Sequence, residues 1–314
     1  MAKKRLFTGI KPTASALHLA NYFGALKPFL SMYGEYESFL MLADLHALTT
    51  VRNGEELRRN SIEIVRDYLA TGFDPAQAVL FKQSGIPEHA ELTWVFDCLV
   101  SVPFLMMAHA YKDKTAKGEE ANAGLFNYPM LMAADILLYD TEVVPVGEDQ
   151  RQHVEYAREA AGKFNRAYGE TFKEPRERIL EEVAVIPGTD GRKMSKSYCN
   201  TIPLFGHKDE IASIVMSIVT DSSGERPAIV YAIHKLFRTE EELNPLYESN
   251  KGNYKALKEA LVEDIEKFIA PMREHRKNIS DEEVKKVLRD GGEKAKAIAS
   301  AKMADVRRKI GVSL

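Results

Sequence analysis

Cysteine is scarce in this 314-residue chain: Cys98 and Cys199 are the only two, and they lie far apart. That excludes a disulfide framework and any zinc or iron–sulfur site built on thiolates, and we read both thiols as buried or incidental. No apolar run approaches the roughly 20 residues of a membrane span. The basic start Lys3, Lys4, Arg5 leads into a strand pattern rather than into the apolar core of a signal peptide, so the expectation is a cytoplasmic protein with no membrane partner. Internal repeats and low-complexity segments are missing too. An excess of one charge is likewise lacking overall, the formal net charge being −3. That small number hides an asymmetry. Residues 251–314 hold 16 Lys and Arg against 11 Asp and Glu, a local +5, which leaves −8 on residues 1–250. A basic end on an acidic body suits a polyanionic partner, although on charge alone the plainer reading is a solvated, Lys-rich helical face.

What is present is ordinary for a globular protein, with 45% hydrophobic and 28% charged residues and length enough for two domains. Arg5 to Ile10 reads as a strand, Pro12-Thr13-Ala14-Ser15 as turn chemistry, and His18 to about Ser31 as a helix with apolar residues at Leu19, Tyr22, Phe23, Leu26, Phe29 and Leu30. Further strands are expected at Ser38–Ala43, Ala78–Phe81 and Glu142–Val146. Helices are expected at 54–71, 89–110 and 127–139 and from about Gln150. Alternating strands and helices call for a Rossmann-type α/β fold, a parallel sheet with ligands beyond the strands' carboxyl ends. After Ser197 the texture turns helical, at 208–219, 254–276, 281–291 and 292–309. The expectation is therefore a catalytic domain over 1–197 and an all-α domain over 198–314.

Four places carry chemistry. Arg192-Lys193-Met194-Ser195-Lys196-Ser197 follows a Gly- and Pro-containing turn and sets two ammonium groups and two hydroxyls on one loop, which suits a triphosphate losing pyrophosphate; a solvated turn is the plain alternative. His18 opens a helix with Asn21 on the same face, so an imidazole and an amide could both donate to phosphate oxygens, although a lone His18 is as well explained as a cap. Asp149 follows a strand through Gly147, where it could accept from ribose hydroxyls or simply cap a helix. Asp135 lies inside the apolar run Met130–Leu138, where an unpaired carboxylate taken out of water would cost several kcal/mol. Either a ligand N–H or a buried structural partner must satisfy it, and the residues alone leave both open.

Together these motifs resemble the class I aminoacyl-tRNA synthetases, and within them the tryptophanyl family. Lys193-Met194-Ser195-Lys196-Ser197 is that class's second signature, and His18-Leu19-Ala20-Asn21-Tyr22 looks like its first. Tyr128-Pro129, the run Ala133 to Tyr139, and Val144-Pro145-Val146-Gly147-Glu148-Asp149-Gln150 are similar to the tryptophanyl family almost letter for letter, and Met132 stands where tyrosyl relatives usually carry Gln. The resemblance implies that Asp135 accepts the indole N–H of L-tryptophan and that Phe7, Ala43, His46, Met132 and Val144 form the slot around the ring. It further implies that Tyr128 and Gln150 hold the amino group. ATP would bind along Lys11, Pro12, Thr13, Ala20 and Asn21, with ribose on Gly147, Glu148 and Asp149 and adenine near Ala20, Val185 and Met194. Its pyrophosphate end would meet Lys114, Lys193, Ser195, Lys196 and Ser197, Mg2+ being held mainly by ATP. His18, Asn21, Lys114, Lys193 and Lys196 would then be the catalytic set, acting by positioning and charge stabilisation in forming tryptophanyl-adenylate before transfer to tRNA(Trp).

The family also implies a homodimer, and an anticodon-reading role for the helical end, with Arg273, Arg276 and Lys277 as candidate phosphate contacts. Three departures stand out. The turn before His18 is one residue longer than usual and lacks its glycine, Ala20 replaces a glycine, and Lys11 and Ala110 replace Gln. Lys11 is expected to set a cation near the substrate carboxylate or α-phosphate. Two rivals are a small-molecule adenylyltransferase of related fold and a paralogue that senses tryptophan or RNA; only a synthetase should exchange pyrophosphate into ATP in response to tryptophan.

Overall fold

A computed structural model describes residues 3–13, 16–108, 111–112, 116, 121–147, 151–179, 186–220 and 226–313. Its centre is a five-stranded parallel sheet of β1 (Arg5–Ile10), β2 (Glu37–Leu42), β3 (Ala78–Lys82), β4 (Val143–Val146) and β5 (Arg176–Ile179), in the order β3-β2-β1-β4-β5. Residues alternate between two apolar layers with the pleat. Leu6, Leu40, Leu42 and Leu80 face one layer, while Phe7, Phe39, Met41 and Phe81 face the other. Both faces are covered, as a parallel sheet requires. β1 pairs with β2 along its whole length but with β4 only at Leu6↔Val143, and the strand order reverses between β1 and β4. That reversal leaves a crevice at the strands' carboxyl ends.

On the first face, α1 (Leu19–Asn21) continues through one π-helical turn (Tyr22–Leu26) into α2 (Lys27–Met32). After β2 come the short α3 (Asp44–Ala47) and then α4 (Gly54–Ala70). The Asn53 side chain starts α4 by accepting the Glu55 and Glu56 N–H groups. The opposite face is covered by α5 (Glu88–Asp97), α6 (Val102–Leu105), α7 (Ala123–Leu137) and α8 (Arg151–Tyr168). The single helix expected over 89–110 is broken, because Pro103 can occupy only the first turn of a new helix, which Ser101 opens. Strand β5, Arg-Glu-Arg-Ile, escapes sequence reading because it is a charged edge strand.

The helical end comprises α9 (Lys208–Met216), α10 (Ala228–His234), α11 (Glu240–Ser249), α12 (Tyr254–Asn278) and α13 (Asp281–Ile310). Sequence reading had not singled out α10 or α11. The helical end contributes apolar residues to the layer on the sheet's first face. Ile211, Val230, Leu261 and Ile265 share one continuous apolar layer with Leu6, Leu19 and Phe23, and Phe268 stacks on Phe23 at 5.4 Å. The two helices expected over 281–291 and 292–309 are one. Val284 of α13 enters the first apolar layer, while Ala295, Ala299, Met303 and Val306 enter the second, so the helix crosses the edge of the sheet at β3. Gly291 marks the crossing, for a Cβ there would lie 1.9 Å from the Leu80 carbonyl oxygen. Cys98 and Cys199 are exposed rather than buried. Among the described residues no helix is long and apolar enough to cross a membrane.

Candidate active site

A cleft of about 400 Å³ lies at the carboxyl end of β1, and its walls include Lys11, Thr13, His18, Asn21, Ser195 and Lys196. The two signatures, separated by some 170 residues of chain, therefore face one space. The backbone explains how. Leu19 donates its N–H to the Ile202 carbonyl (3.0 Å), Leu204 donates to the Leu17 carbonyl (2.9 Å), and His18 pairs with Pro203 as an isolated antiparallel bridge. The segment after the second signature is thus stitched to the first.

Asn21 has a local duty: its Oδ1 accepts the His18 N–H at 3.1 Å. With that oxygen engaged, the side chain meets a ligand as a donor. The His18 ring is buried, and its Nδ1 has no hydrogen-bond partner. Burial, then the charge of Lys196, lowers the imidazole to about 4, so the ring is neutral at pH 7 and one of its nitrogens carries a hydrogen to donate. The Lys196 Nζ donates to the Ala16 carbonyl, and burial lowers its own pKa. Burial also lowers Lys11, whose Nζ stands 5.8 Å from the centre of the Tyr128 ring. Lys11 thereby links the cleft to the aromatic region beside it.

The loop carrying the second signature is braced from within by Asn200. Its Oδ1 accepts the Ser195 N–H (2.8 Å), while its Nδ2 donates to Asp190 Oδ1 (2.7 Å) and the Lys193 carbonyl (3.2 Å). Gly188 makes room for it, since a Cβ there would come within 2.2 Å of the Asn200 side chain. Lys193 and Ser197 are exposed on this loop, whereas Met194 is buried in the first apolar layer, with Ala20 packed against that layer.

Phe7, Ala43 and Val144 are buried in the second apolar layer, with Tyr128 and Met132 packed against it. Asp135, 1% exposed, stands among them and is not alone. His46 Nε2 contacts Oδ2 (2.9 Å), His89 Nδ1 contacts Oδ1 (2.6 Å), and the Gln83 amide donates to both oxygens (2.8 and 3.0 Å). His89 Nε2 in turn meets the Tyr139 hydroxyl at 2.8 Å. Burial pushes the carboxyl up, but His89 and His46 outweigh it and hold Asp135 down to about 2. Of the two ways to satisfy this acid, the structural partners are therefore present. Sequence reading missed Gln83, His89 and Tyr139; Tyr139, one helical turn from Asp135, was the signal available.

Lys114, Glu148, Asp149, Gln150 and Val185 lie outside the described residues, as does Ala110. Gly147 closes the described stretch just beyond β4, and Pro12 is buried on the turn after β1. Two candidate phosphate contacts of the helical end are corrected. Arg276 is committed to Asp67 and Glu63, and Arg273 to Glu266 and the Gly206 carbonyl, so both guanidiniums are engaged inside the protein. Lys277 is exposed and paired with Glu274 at 2.6 Å.

A family model described as tRNA synthetases class I (W and Y) matches residues 2–303. The tryptophan–tRNA ligase of Fusobacterium nucleatum is 44% identical over 98% of each chain, and that of Rhodopirellula baltica 43% identical over 98% of this chain and 99% of the relative. Among solved structures, the Campylobacter jejuni tryptophanyl-tRNA synthetase complexed with ADP and tryptophan aligns with a TM-score of 0.91 at 40% identity, covering 98% of this chain and 99% of its own. The enzyme from Mycoplasma pneumoniae aligns at 0.84 with 29% identity, covering 99% and 98%. The signatures share one cleft at the sheet's crossover point and the matches run nearly end to end: the chain belongs to the class I tRNA synthetases, in the tryptophan and tyrosine group.

Proposed function

We propose that the chain is a tryptophan–tRNA ligase, which activates L-tryptophan with ATP and passes it to the 3′ end of tRNA(Trp). The observation that carries this reading is the meeting of His18, Asn21, Ser195 and Lys196 around one cleft whose Lys11 reaches the aromatic cluster of Tyr128. In that arrangement ATP occupies the cleft and the tryptophan ring lies by Phe7, Ala43, His46, Met132 and Val144, its amino group on Tyr128 and Gln150. Ribose lies by Gly147, Glu148 and Asp149, and adenine by Ala20, Val185 and Met194. The tryptophan carboxylate attacks the α-phosphorus in line and pyrophosphate leaves. A neutral His18 and the Asn21 amide donate to the developing charge, while Lys114, Lys193 and Lys196 take the leaving pyrophosphate. Mg2+ enters as the counter-ion of ATP, since the cleft's described lining offers ammonium, imidazole, amide and hydroxyl groups but no carboxylate.

Asp135 takes the indole N–H on this reading, and its crowding says how. The Gln83 amide is shared between both carboxylate oxygens, so settling it on one frees a lone pair on the other. A homodimer is part of the proposal as well. Trp94, Val102, Met106 and Met107 are exposed on α5, α6 and the turn that follows, an apolar stretch that a second copy would cover. A cytoplasmic location goes with the work, because charged tRNA is consumed where translation runs. The deciding experiment is exchange of labelled pyrophosphate into ATP, followed by charging of tRNA(Trp). Exchange driven by tryptophan and not by tyrosine is expected; no exchange, or exchange driven by tyrosine, would overturn the reading.

A further inference from the structure

One buried carboxyl joins three parts of the molecule that sequence places far apart. Asp67 lies in the last turn of α4 with no exposed surface. Its Oδ2 accepts the N–H of Leu17, the residue before His18, at 3.2 Å. Its Oδ1 accepts from Arg276 Nε, in the last turn of α12, at 2.6 Å. The same guanidinium pairs with Glu63, one turn back on α4, and lies 5.2 Å from the ring of Phe205. On the other side of the turn, Lys196 Nζ holds the carbonyl of Ala16, next to Leu17. The backbone that presents His18 to the cleft is therefore anchored from below by Asp67 and from above by the second signature. Asp67 is anchored in turn by the helical end of the chain.

Packing alone does not call for this arrangement. Leu17 and the end of α4 are already joined through the first apolar layer, and a carboxyl at this depth is unfavourable without its counter-charge. What the carboxylate adds is direction: a hydrogen bond fixes where the Leu17 N–H points, and hence the path into His18. We propose that Asp67 is a positioning residue for adenylate formation, setting the His18 turn through Leu17 and making that setting depend on the helical end through Arg276. This rests on the reading that the cleft holds ATP.

Burial pushes the Asp67 carboxyl up to about 6, against the pull of Arg276. The charged and titratable groups around it are Arg276 on α12, Glu63 and Tyr68 on α4, and Lys196 on the signature loop. The carboxylate is ionised at pH 7. As pH falls through about 6 it gains a proton, the guanidinium keeps only Glu63, and Leu17 faces a weaker acceptor.

The test is tryptophan-dependent pyrophosphate exchange by the full-length chain and its Asp67→Asn, Arg276→Met and Arg276→Lys variants. Asp67→Asn keeps an acceptor oxygen but not the charge. At pH 7.5 it should raise the KM for ATP about five- to tenfold and leave the KM for tryptophan within about twofold. Arg276→Met should show the same split, Arg276→Lys should recover part of it, and the double variant should be no worse than the poorer single one. In the unaltered chain the KM for ATP should climb between pH 7 and 5.5, and that climb should vanish in Asp67→Asn. If the KM for ATP is unmoved in both Asp67→Asn and Arg276→Met, or if both KM values shift together, or if the pH dependence survives in Asp67→Asn, the proposal is wrong. Should Asp67→Asn fail to fold, the Arg276 pair decides by the same criteria. An unaltered chain without exchange would fell the functional reading and this proposal together, whereas normal exchange with unmoved variants would fell this proposal alone.

Discussion

Three side chains converge on the Asp135 carboxylate, and Asn in its place keeps one acceptor oxygen but removes the charge and sets an NH2 donor against the partners of the other oxygen. Asp135→Asn is therefore expected to do two separable things. The KM for tryptophan should rise by about 100-fold or more, the loss of one buried charge-assisted hydrogen bond, while the KM for ATP changes little. Stability should fall by about 3 kcal/mol, because a buried pair that loses one partner leaves the others stranded; denaturant titration measures it. The acid limb of stability follows from the same residue. Its carboxyl is held at about 2 against an ordinary 3.8, so it contributes fully above pH 4 and the contribution is lost as pH falls toward 2. Thermal unfolding across pH 2–5 should be flatter in Asp135→Asn than in the unaltered chain. Lys11→Gln restores the amide usual in the family at a position that here carries a partly desolvated cation over Tyr128. It should slow adenylate formation about tenfold, read by single-turnover kinetics; an unchanged rate would deny Lys11 any part in the chemistry.

At the scale of elements, two glycines are required by close approach. Gly291→Ala drives a methyl into the Leu80 carbonyl where α13 crosses β3. It should cost about 1–3 kcal/mol in a melting experiment, with both KM values kept. Gly188→Ala presses instead on Asn200, which braces the loop of the second signature. There the loss should be in kcat, about tenfold or more, with little change in melting. The contrast between these sites also shows what sequence could and could not reveal. The signatures were readable because each is contiguous: His18 and Asn21 sit within one turn, Lys193 and Lys196 within one loop. Strands β1 to β4 were readable because apolar residues dominate them. The braces were not. Asp67 and Arg276, or Asp135, Gln83 and His89, are joined only by folding, and nothing in the local pattern around Gln83 or Arg276 sets it apart from surface residues of the same kind. Arg276 and Arg273 looked available for RNA because charge was visible and pairing was not.

For the whole molecule, the helical end and the sheet share an apolar layer, so the cleft and the helical end are mechanically one piece. The exposed apolar stretch lies on the opposite side of the sheet, on the elements that cover the second layer. If a second copy covers it, Trp94→Glu, at a side chain 70% exposed, should leave the fold intact and halve the mass seen in sedimentation. A chain that sediments as a monomer before and after the change would remove the dimer from the reading.

The edge strand β3 is made roughly two hundred residues before α13, the helix that crosses it. Until α13 emerges from the ribosome, β3 has an unpaired side able to recruit any extended peptide nearby. A nascent chain stalled short of residue 281 would present that side indefinitely, so premature termination of this message should yield aggregates and chaperone clients rather than a smaller, weaker enzyme.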